Sequence, residues 1–334
     1  MDTNFNETFL DENSTSLNYY IGVPNMETNN ASEIENTIKS YKKLNLNYLS
    51  INIFNFYLHS LISKDLNRDL IELINKFIAS LSRKYKITFI FSYSISANPV
   101  AYFDCWNSRF IYKGDVKSIK EYSEYLLTDK SSFLTVKKPH RGILSLLKTD
   151  LLQTKLCSIE ICSLNSDYSI TDFENIYYNL LDKGWLVGAI SSYNSHSSKD
   201  WYTGIISRHC YSDMLIDSIK NKFTYSTSVP DLKLYFSINF TPMGKTLELN
   251  SLPSMLSFYI FASTSDRIIN QIEIISNQQK IIKRNSTMYM SRIHYIFRYE
   301  MEDNNTWFVL RLIGREGVIA ISSPVFINNK KSTD

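Results

Sequence analysis

The hydrophobic pattern of this chain changes near residue 226, and that change limits the possible folds more than any single motif does. Before it, short apolar runs typical of buried strands alternate with segments whose apolar residues recur at helical spacing. After it, helical spacing is absent and strand-like runs follow one another between turns. We therefore predict an α/β region with a largely parallel sheet, open or closed into a barrel, and then an all-β sandwich.

Three segments are predicted from this pattern. Residues 1–16 are polar and rich in Asn, Ser, Thr and acidic groups, which favours a flexible tail. The α/β domain is expected over residues 17–225 and the β-sandwich over residues 226–330. The boundary is placed in the sequence Ser-Thr-Ser-Val-Pro at residues 226–230.

Individual elements follow from the same periodicities. In the first region, strands are predicted at 19–26, 48–54, 86–93, 133–136, 156–162 and 185–190, with helices at 31–44, 69–85, 116–127, 170–183 and 212–222. In the second region, strands are predicted at 232–239, 255–263, 269–276, 288–300, 306–313 and 318–322. Gly184 follows a predicted helix as a C-cap, and residues 314–317 read as a tight hairpin turn.

Composition argues against several classes of function. The 334 residues carry a net charge of +3 without a dense basic block, which is too little to indicate nucleic acid or a membrane surface. The N-terminal residues lack the basic and apolar segments of a secretory signal. Apolar runs stay well below the ~20 residues that a membrane-spanning helix needs. We therefore expect a cytoplasmic protein that binds neither nucleic acid nor membranes.

The four cysteines are expected to be buried free thiols, because none of them forms a C-x-x-C pair. Cys157 and Cys162 lie five residues apart on a predicted strand, where alternation would turn them to opposite sides. A zinc site is the less favoured alternative. Free thiols agree with a reducing cytoplasm.

A stretch after the predicted strand 185–190 reads Tyr193-Asn194-Ser195-His196, and it resembles a metal-binding segment written S-D-S-H. Further segments match the same family in order: 180–184, 211–219, 223–227, 230–239, 242–247, 307–312 and 321–327. Together they resemble the PHP (polymerase and histidinol phosphatase) superfamily of metallohydrolases, in the branch with a C-terminal β-sandwich typified by carbamate hydrolases. The resemblance covers residues 19–328.

This resemblance implies a distorted (β/α) barrel of the PHP type followed by a β-sandwich, with a pocket at the carboxyl ends of the barrel strands. In the family, the motifs G-D-x-H-x-H-T, I-T-D-H-N, a glutamate followed by G-H, H-P and S-D-S-H hold two or three metals. The matching positions here are Asn25 and Glu27, Ile53 and Phe54, Ser94 and Tyr102, Lys138, and Asn194 with His196. Of the family's ligands, only His196 is retained in place.

A catalytic metal needs about three protein ligands. We therefore expect a remnant pocket without a metal, formed by Asn25, Glu27, Lys138, Asn194 and His196. Glu27 is expected to pair with Lys138, which would replace the metal charge. If a metal is bound after all, His196 and Glu27 are its expected ligands.

The resulting prediction is a non-catalytic PHP-like protein that needs no cofactor and binds a protein partner or a small ligand. The alternative is a divergent metal-dependent hydrolase of phosphoesters, amides or carbamates that uses Zn, Mn or Fe. Its rebuilt site would combine Glu27 and His196 with Asp104, Glu160 or His140. A third possibility is that the β-sandwich supplies a docking surface and the barrel is only a scaffold.

Overall fold

The structure is a computed structural model, and it describes residues 9–10, 16–27, 38–39, 41–42, 44–54, 67–97, 101–109, 119–162, 169–191, 201–251, 253–266, 268–301 and 305–329. The fold of these residues is mixed α/β, as the sequence predicted, and it has a large sheet and few helices. Within the described segments, no helix has the length and apolar content needed to cross a membrane.

The strands are β1 (Phe9–Leu10), β2 (Ser16–Glu27), β3 (Tyr48–Phe54), β4 (Thr88–Ala97), β5 (Ala101–Trp106), β6 (Phe133–Lys137), β7 (Leu156–Glu160), β8 (Gly188–Ile190), β9 (Tyr202–Ser207), β10 (Thr224–Thr227), β11 (Lys233–Ile238), β12 (Thr241–Pro242), β13 (Thr246–Leu249), β14 (Ser254–Ser263), β15 (Ile269–Ser276), β16 (Lys280–Met290), β17 (Arg292–Met301), β18 (Trp307–Gly314), β19 (Gly317–Ser322) and β20 (Val325–Asn329). The described helices are α1 (Asn67–Tyr85), α2 (Ile119–Leu126), α3 (Asp150–Lys155), α4 (Ile170–Asp182) and α5 (Ser212–Lys220), with 3₁₀ turns at Arg141–Ser145 and Asn277–Gln279.

The first half of the chain forms a run of neighbouring strands in the order β9-β2-β3-β4-β5-β6-β7-β8. Parallel ladders join β2, β3 and β4, and others join β6, β7 and β8, as the alternation of strand and helix predicted. The strand β5 was not predicted, and it runs antiparallel to both β4 and β6. Only three residues separate β4 from β5, which is too short for the crossover that a parallel pair needs.

The two ends of this run come together through side chains. The Ser191 N–H donates to Thr203 Oγ1 at 2.8 Å, and the Thr203 hydroxyl donates to the Ser191 carbonyl at 2.8 Å. Helix α5 contacts β4, β7 and β9, so it spans the space between distant strands. The described strands form no ladder between β8 and β9. The predicted closed barrel therefore stays a prediction.

We call the face of β3–β7 that points toward α5 the inner face. The part of this face near the amino ends of β3, β4, β6 and β7 is apolar, and we call it the lower layer. Its buried residues pack against Leu215 and Ile219 of α5. That layer consists of Tyr48, Ile90, Trp106, Phe133 and Cys157. The opposite, outer face is apolar and packs against the helices. Toward the carboxyl ends of β3, β4 and β6, the inner face becomes polar.

The large sheet continues through the predicted domain boundary, because β10 pairs with both β9 and β19. Beyond β19 the order runs to β18, β20 and β13, and β15 and β16 branch from β18. A second sheet of four strands, β12-β11-β14-β17, packs against it. The Phe258 ring meets the Phe308 ring edge-on, with centroids 5.2 Å apart. One apolar cluster contains residues of both halves, and the boundary itself stays a prediction.

Most predicted elements are confirmed, including β3 with its predicted bounds, and the differences have local causes. The predicted strand 185–190 begins only at Gly188. Gly184 has φ +76° and caps α4, and the Trp185 N–H is bound to the Leu180 carbonyl at 3.1 Å rather than to a neighbouring strand. The predicted strand 288–300 is two strands, and Met288 and Tyr289 have positive φ just before the break.

The structure also bears on the predictions for the cysteines and for the hairpin turn. Cys105, Cys157 and Cys162 are buried free thiols, as expected, and Cys210 is half-buried and free. The prediction that Cys157 and Cys162 share one strand is wrong, because β7 ends at Glu160. The hairpin at residues 314–317 is confirmed, since β18 and β19 are antiparallel there and Gly317 has φ +109°.

Candidate functional site

The structure describes only part of the predicted remnant pocket. Asn25 and Glu27 lie on β2, where the Glu27 backbone is opposite Asn52 in the parallel ladder, but their side chains lie outside the described part. Asn194 and His196 lie outside the described residues altogether. The expected pairing of Glu27 with Lys138 therefore stays a prediction.

Lys138 directly follows β6 and adopts a left-handed backbone with φ +46°. Its N–H donates to Glu160 Oε2 at 2.7 Å, and its side chain is half-buried. This contact fixes the turn after β6 against the end of β7. The place of Lys138 in the remnant pocket stays a prediction, and its neighbour Lys137, described next, is the lysine whose side chain lies on the polar inner face.

Five polar side chains meet on the inner face of the sheet, and we call them the amide cluster. Its members are Asn52 on β3, Ser92 and Ser94 on β4, Asp104 on β5 and Lys137 on β6. Each is 1% exposed or less. The alternation of side chains along a strand places them on the same face as the apolar lower layer, toward the carboxyl ends of β3 and β6.

Asn52 is the centre of this cluster because its amide uses both of its ends. Its Nδ2 donates to Ser92 Oγ at 2.7 Å and to Asp104 Oδ1 at 3.1 Å. Its Oδ1 accepts from Ser94 Oγ at 2.6 Å and from Lys137 Nζ at 3.2 Å. The amide therefore links the carboxylate to the ammonium, and it fixes its own orientation by doing so.

The Ser94 hydroxyl completes the connection. It lies 2.5 Å from Asp104 Oδ1 and accepts from Lys137 Nζ at 3.3 Å. A buried charge is tolerated when it is paired and hydrogen-bonded, and Asp104 and Lys137 share Asn52 and Ser94 as partners. The cluster therefore holds one positive and one negative charge in a connected set of hydrogen bonds.

The donor set of the amide cluster does not suit a zinc, iron or manganese ion. An ammonium cannot ligate a cation, and Lys137 places one against Asn52 Oδ1 and Ser94 Oγ. Zinc, iron and manganese sites use imidazole, thiolate and carboxylate ligands. Within the described ranges, no group of three or more His, Cys, Asp or Glu side chains is arranged to hold a metal ion.

The inner face carries further polar groups beside the cluster. Glu160 on β7 is 1% exposed, and Trp106 Nε1 donates to Thr135 Oγ1 at 3.0 Å. The hydroxyls of Ser50 and Ser158 are fully buried and have no hydrogen-bond partner among the described residues. This face is therefore polar over several strands, with groups that remain available to water or to a bound molecule.

His140, which was considered for a rebuilt metal site, caps a turn in the structure. It precedes the 3₁₀ turn Arg141–Ser145, and its Nδ1 accepts from the Gly142 N–H at 3.1 Å. Nδ1 therefore has a structural partner, and a metal-ligating role of His140 stays a prediction.

Lys137 and Asn52 were missed as site residues, although the sequence carries a signal for each. Asn52 interrupts the apolar strand Ile51-Asn52-Ile53, and a buried polar residue in a strand is informative. Lys137 shares the two-residue period of Phe133 and Thr135, whose side chains face inward. The family motif drew attention to position 138, the neighbour of Lys137.

A second buried ionic group, the guanidinium network, joins α4 to β15, β16 and β18. Arg311 on β18 donates to Glu273 Oε2 from Nη2 at 2.5 Å and from Nε at 2.8 Å, and to Glu174 Oε1 from Nη1 at 3.0 Å. Arg284 Nε donates to Glu273 Oε1 at 2.7 Å. The carboxylates of Glu174 and Glu273 are almost fully buried. This network holds secondary-structure elements together.

The two carboxyl groups of the network respond differently to burial. Burial raises the pKa of Glu174 above its ordinary value, and the Arg311 charge only partly offsets it. Burial also opposes the ionisation of Glu273, but the hydrogen bonds and charges of Arg311 and Arg284 outweigh it, so the pKa of Glu273 lies below its ordinary value. The difference follows from the number of guanidinium contacts that each carboxylate accepts.

No protein-family model matches this chain, and no curated protein matches it. A crystal structure from Bacteroides vulgatus ATCC 8482, described as a two-domain protein containing a predicted PHP-like metal-dependent phosphoesterase, aligns with 92% of this chain and 96% of its own, with a TM-score of 0.45 and 9% identity. A modular endo-β-1,4-mannanase from Cellulomonas fimi aligns with 85% of this chain and 48% of its own, with a TM-score of 0.23 and 7% identity. Because these TM-scores are below 0.5, we draw the function from the chain's own residues.

Proposed function

We propose that this chain is a PHP-like protein that binds a small acidic molecule at the carboxyl ends of β3, β4 and β6 and does not perform metal-dependent hydrolysis. The observation that carries this proposal is the position of Lys137. Its ammonium is buried at 1% exposure and contacts Asn52 and Ser94 on the polar inner face. Asp104 balances this charge within the cluster, but the ammonium repels a metal ion at its own position and is the group on this face that can pair with an anionic ligand.

Two further features support a bound small molecule. The carboxyl ends of neighbouring parallel strands are the usual ligand edge of an α/β sheet, and β3, β4 and β6 bring their polar residues to that edge. The buried hydroxyls of Ser50 and Ser158 offer additional hydrogen-bonding groups on the same face. The PHP-like character rests on the ordered sequence segments that resemble that superfamily.

The proposal is tested by thermal stabilisation of the full chain with inorganic phosphate and with malonate. We expect both anions to raise the melting temperature of the wild-type protein and of the control variant Lys155→Met, but not of Lys137→Met. Lys155 is the matched control because it is a buried lysine, 7% exposed, at the amino end of β7 and bound to the Asp129 and Ser132 carbonyls. Equal stabilisation of the Lys137→Met variant, or none of the wild type, would contradict an acidic ligand at this site.

Metal content provides the second test. We expect purified protein to contain no stoichiometric zinc, manganese or iron and to show no phosphoesterase turnover. Stoichiometric metal together with turnover that is lost in His196→Ala would reject the non-catalytic proposal.

The competing function is a divergent metal-dependent hydrolase. The observation that favours it is the burial of two carboxylates, Asp104 and Glu160, at 1% exposure on one inner face. In that case Asp104→Asn and Glu160→Gln would each lower the bound metal and the hydrolysis of phosphoesters, amides or carbamates in parallel. If neither variant changes the metal content of the protein, this alternative fails.

A further inference from the structure

The strand β17 forms one edge of the four-stranded sheet. All ten of its residues pair with β14 along one side, from Arg292 opposite Ser263 to Met301 opposite Ser254. Among the described strands, β14 is its only ladder partner. An edge of this length presents a row of backbone N–H and C=O groups, which is a template for another strand.

The side chains of β17 that face away from the core form a repeating pattern. Alternate residues are exposed, and Ile296, at the middle of the strand, is 64% exposed. Ile296 lies opposite Tyr259 of β14, so it continues an apolar row on the outside of the sheet. The exposed residues on this face are Arg292, His294, Ile296, Arg298 and Glu300.

We propose that β17 pairs in antiparallel orientation with β17 of a second copy of this chain, about a twofold axis at Ile296. This register places Arg292 opposite Glu300 of the partner subunit, and Glu300 opposite Arg292 of the partner subunit. Opposite charges that face each other across an antiparallel pair stabilise it, whereas like charges destabilise it. The self-complementary contact is what a twofold interface requires.

Neighbouring registers lack this match. Directly opposed residues lie on the same side of a sheet, so the register can shift only in steps that preserve the alternation. With the axis at Tyr295, Arg292 faces Arg298 of the partner subunit. With the axis at Phe297, Glu300 faces His294 of the partner subunit and Arg292 faces no residue of β17. The register at Ile296 therefore gives two Arg292–Glu300 pairs, which neither neighbouring register gives, over an overlap as long as that of the register at Phe297.

The side chains on the dimer axis add an apolar contact. Ile296 meets Ile296 of the partner subunit, and the adjacent Tyr259 continues the apolar row on each side. Burial of the two isoleucines contributes the hydrophobic part of the association. Backbone hydrogen bonds form along the whole pair in any register, whereas the two terminal ion pairs stabilise this register in particular. A single charge reversal at either end is therefore expected to weaken the dimer.

The experiment is sedimentation velocity of the full chain over a range of concentrations. We expect the wild type to form a dimer, Glu300→Arg to weaken dimerisation by about tenfold or more, and Arg292→Glu/Glu300→Arg to recover it. The matched control Glu124→Arg makes the same charge change on the exposed surface of α2 and is expected to dimerise like the wild type.

Circular dichroism and melting temperature verify that each variant is folded. Ile296→Asp, which changes an exposed side chain, is a second route to the same result because it places two like charges at the axis. A wild type that is monomeric at every concentration would overturn the proposal, as would a dimer that persists unchanged in both Glu300→Arg and Ile296→Asp.

Discussion

The guanidinium network and the amide cluster are both buried, but they hold their charges in different ways. In the network, Arg311 contacts Glu174 and Glu273 directly and Arg284 adds a further bond to Glu273. In the cluster, the Asn52 amide and the Ser94 hydroxyl are shared contacts between Asp104 and Lys137. One arrangement uses charge pairs, and the other uses neutral groups that adapt as donors or acceptors.

This difference indicates what each region is suited for. The network joins α4, β15 and β18, and a planar guanidinium with two fixed carboxylates leaves little freedom to rearrange. The cluster lies at the carboxyl ends of parallel strands, beside hydroxyls that have no partner among the described residues. The first is therefore expected to determine stability, and the second is expected to accept a ligand.

The largest expected effect is the loss of Arg311. In Arg311→Met, two buried carboxylates lose their shared partner, and we expect the free energy of unfolding to fall by about 3–5 kcal/mol. Urea denaturation measures this change. Arg284→Met is the comparison, since that side chain is 58% exposed and a loss of about 1 kcal/mol or less is expected. Similar losses in the two variants would show that the network is not the stabilising centre.

The next effect concerns the coupling within the amide cluster. Asp104→Asn leaves the Lys137 ammonium buried without that carboxylate, and we expect a loss of about 2–3 kcal/mol in the free energy of unfolding. If the two charges depend on each other, the double variant Asp104→Asn/Lys137→Met should lose about 1–2 kcal/mol less than the sum of the single variants. Strict additivity would mean that the cluster is not one connected unit.

The pH dependence of stability separates the two carboxylates of the network. Because the folded pKa of Glu273 is lowered, its contribution is present above its ordinary value of 4.5 and is lost as the pH falls through the folded pKa. Because the folded pKa of Glu174 is raised, its contribution is present below its ordinary value of 4.5 and is lost as the pH rises through the folded pKa.

Urea denaturation at several pH values tests these signs. In Glu273→Gln, the free energy of unfolding is expected to fall less on acidification than in the wild type. In Glu174→Gln, the decline of stability above pH 4.5 is expected to weaken. Relative to the wild type, the two substitutions should change the slope of the free energy of unfolding against pH in opposite directions. Changes of the same sign in both variants would contradict the assigned directions.

The smallest expected effects are at the hydroxyls beside the cluster. Since Ser50 and Ser158 have no described hydrogen-bond partner, Ser50→Ala and Ser158→Ala are expected to change the free energy of unfolding by about 0.5 kcal/mol or less. Ser94→Ala, which removes contacts to Asn52 and Asp104, is expected to lose about 1–2 kcal/mol. A large loss at Ser50 or Ser158 would indicate an ordered water or another partner.

The sequence by itself determined the local elements of this protein. Periodicity of apolar residues located β3, α1, α4 and β15 within a few residues, because the pattern of one strand or helix is written in consecutive positions. The Gly184 cap and the hairpin at residues 314–317 were also readable, since each depends on a glycine that adopts positive φ.

Only the tertiary structure decided which side chains meet. Asn52 and Lys137 are 85 residues apart, and Glu174 and Arg311 are 137 residues apart, so neither contact has a local pattern. The direction of β5 and the pairing of β10 with β9 and β19 likewise arise from packing. Local periodicity fixes which face of a strand is buried, but the register and the neighbouring strand decide whether a buried lysine meets an amide, a carboxylate or a hydroxyl.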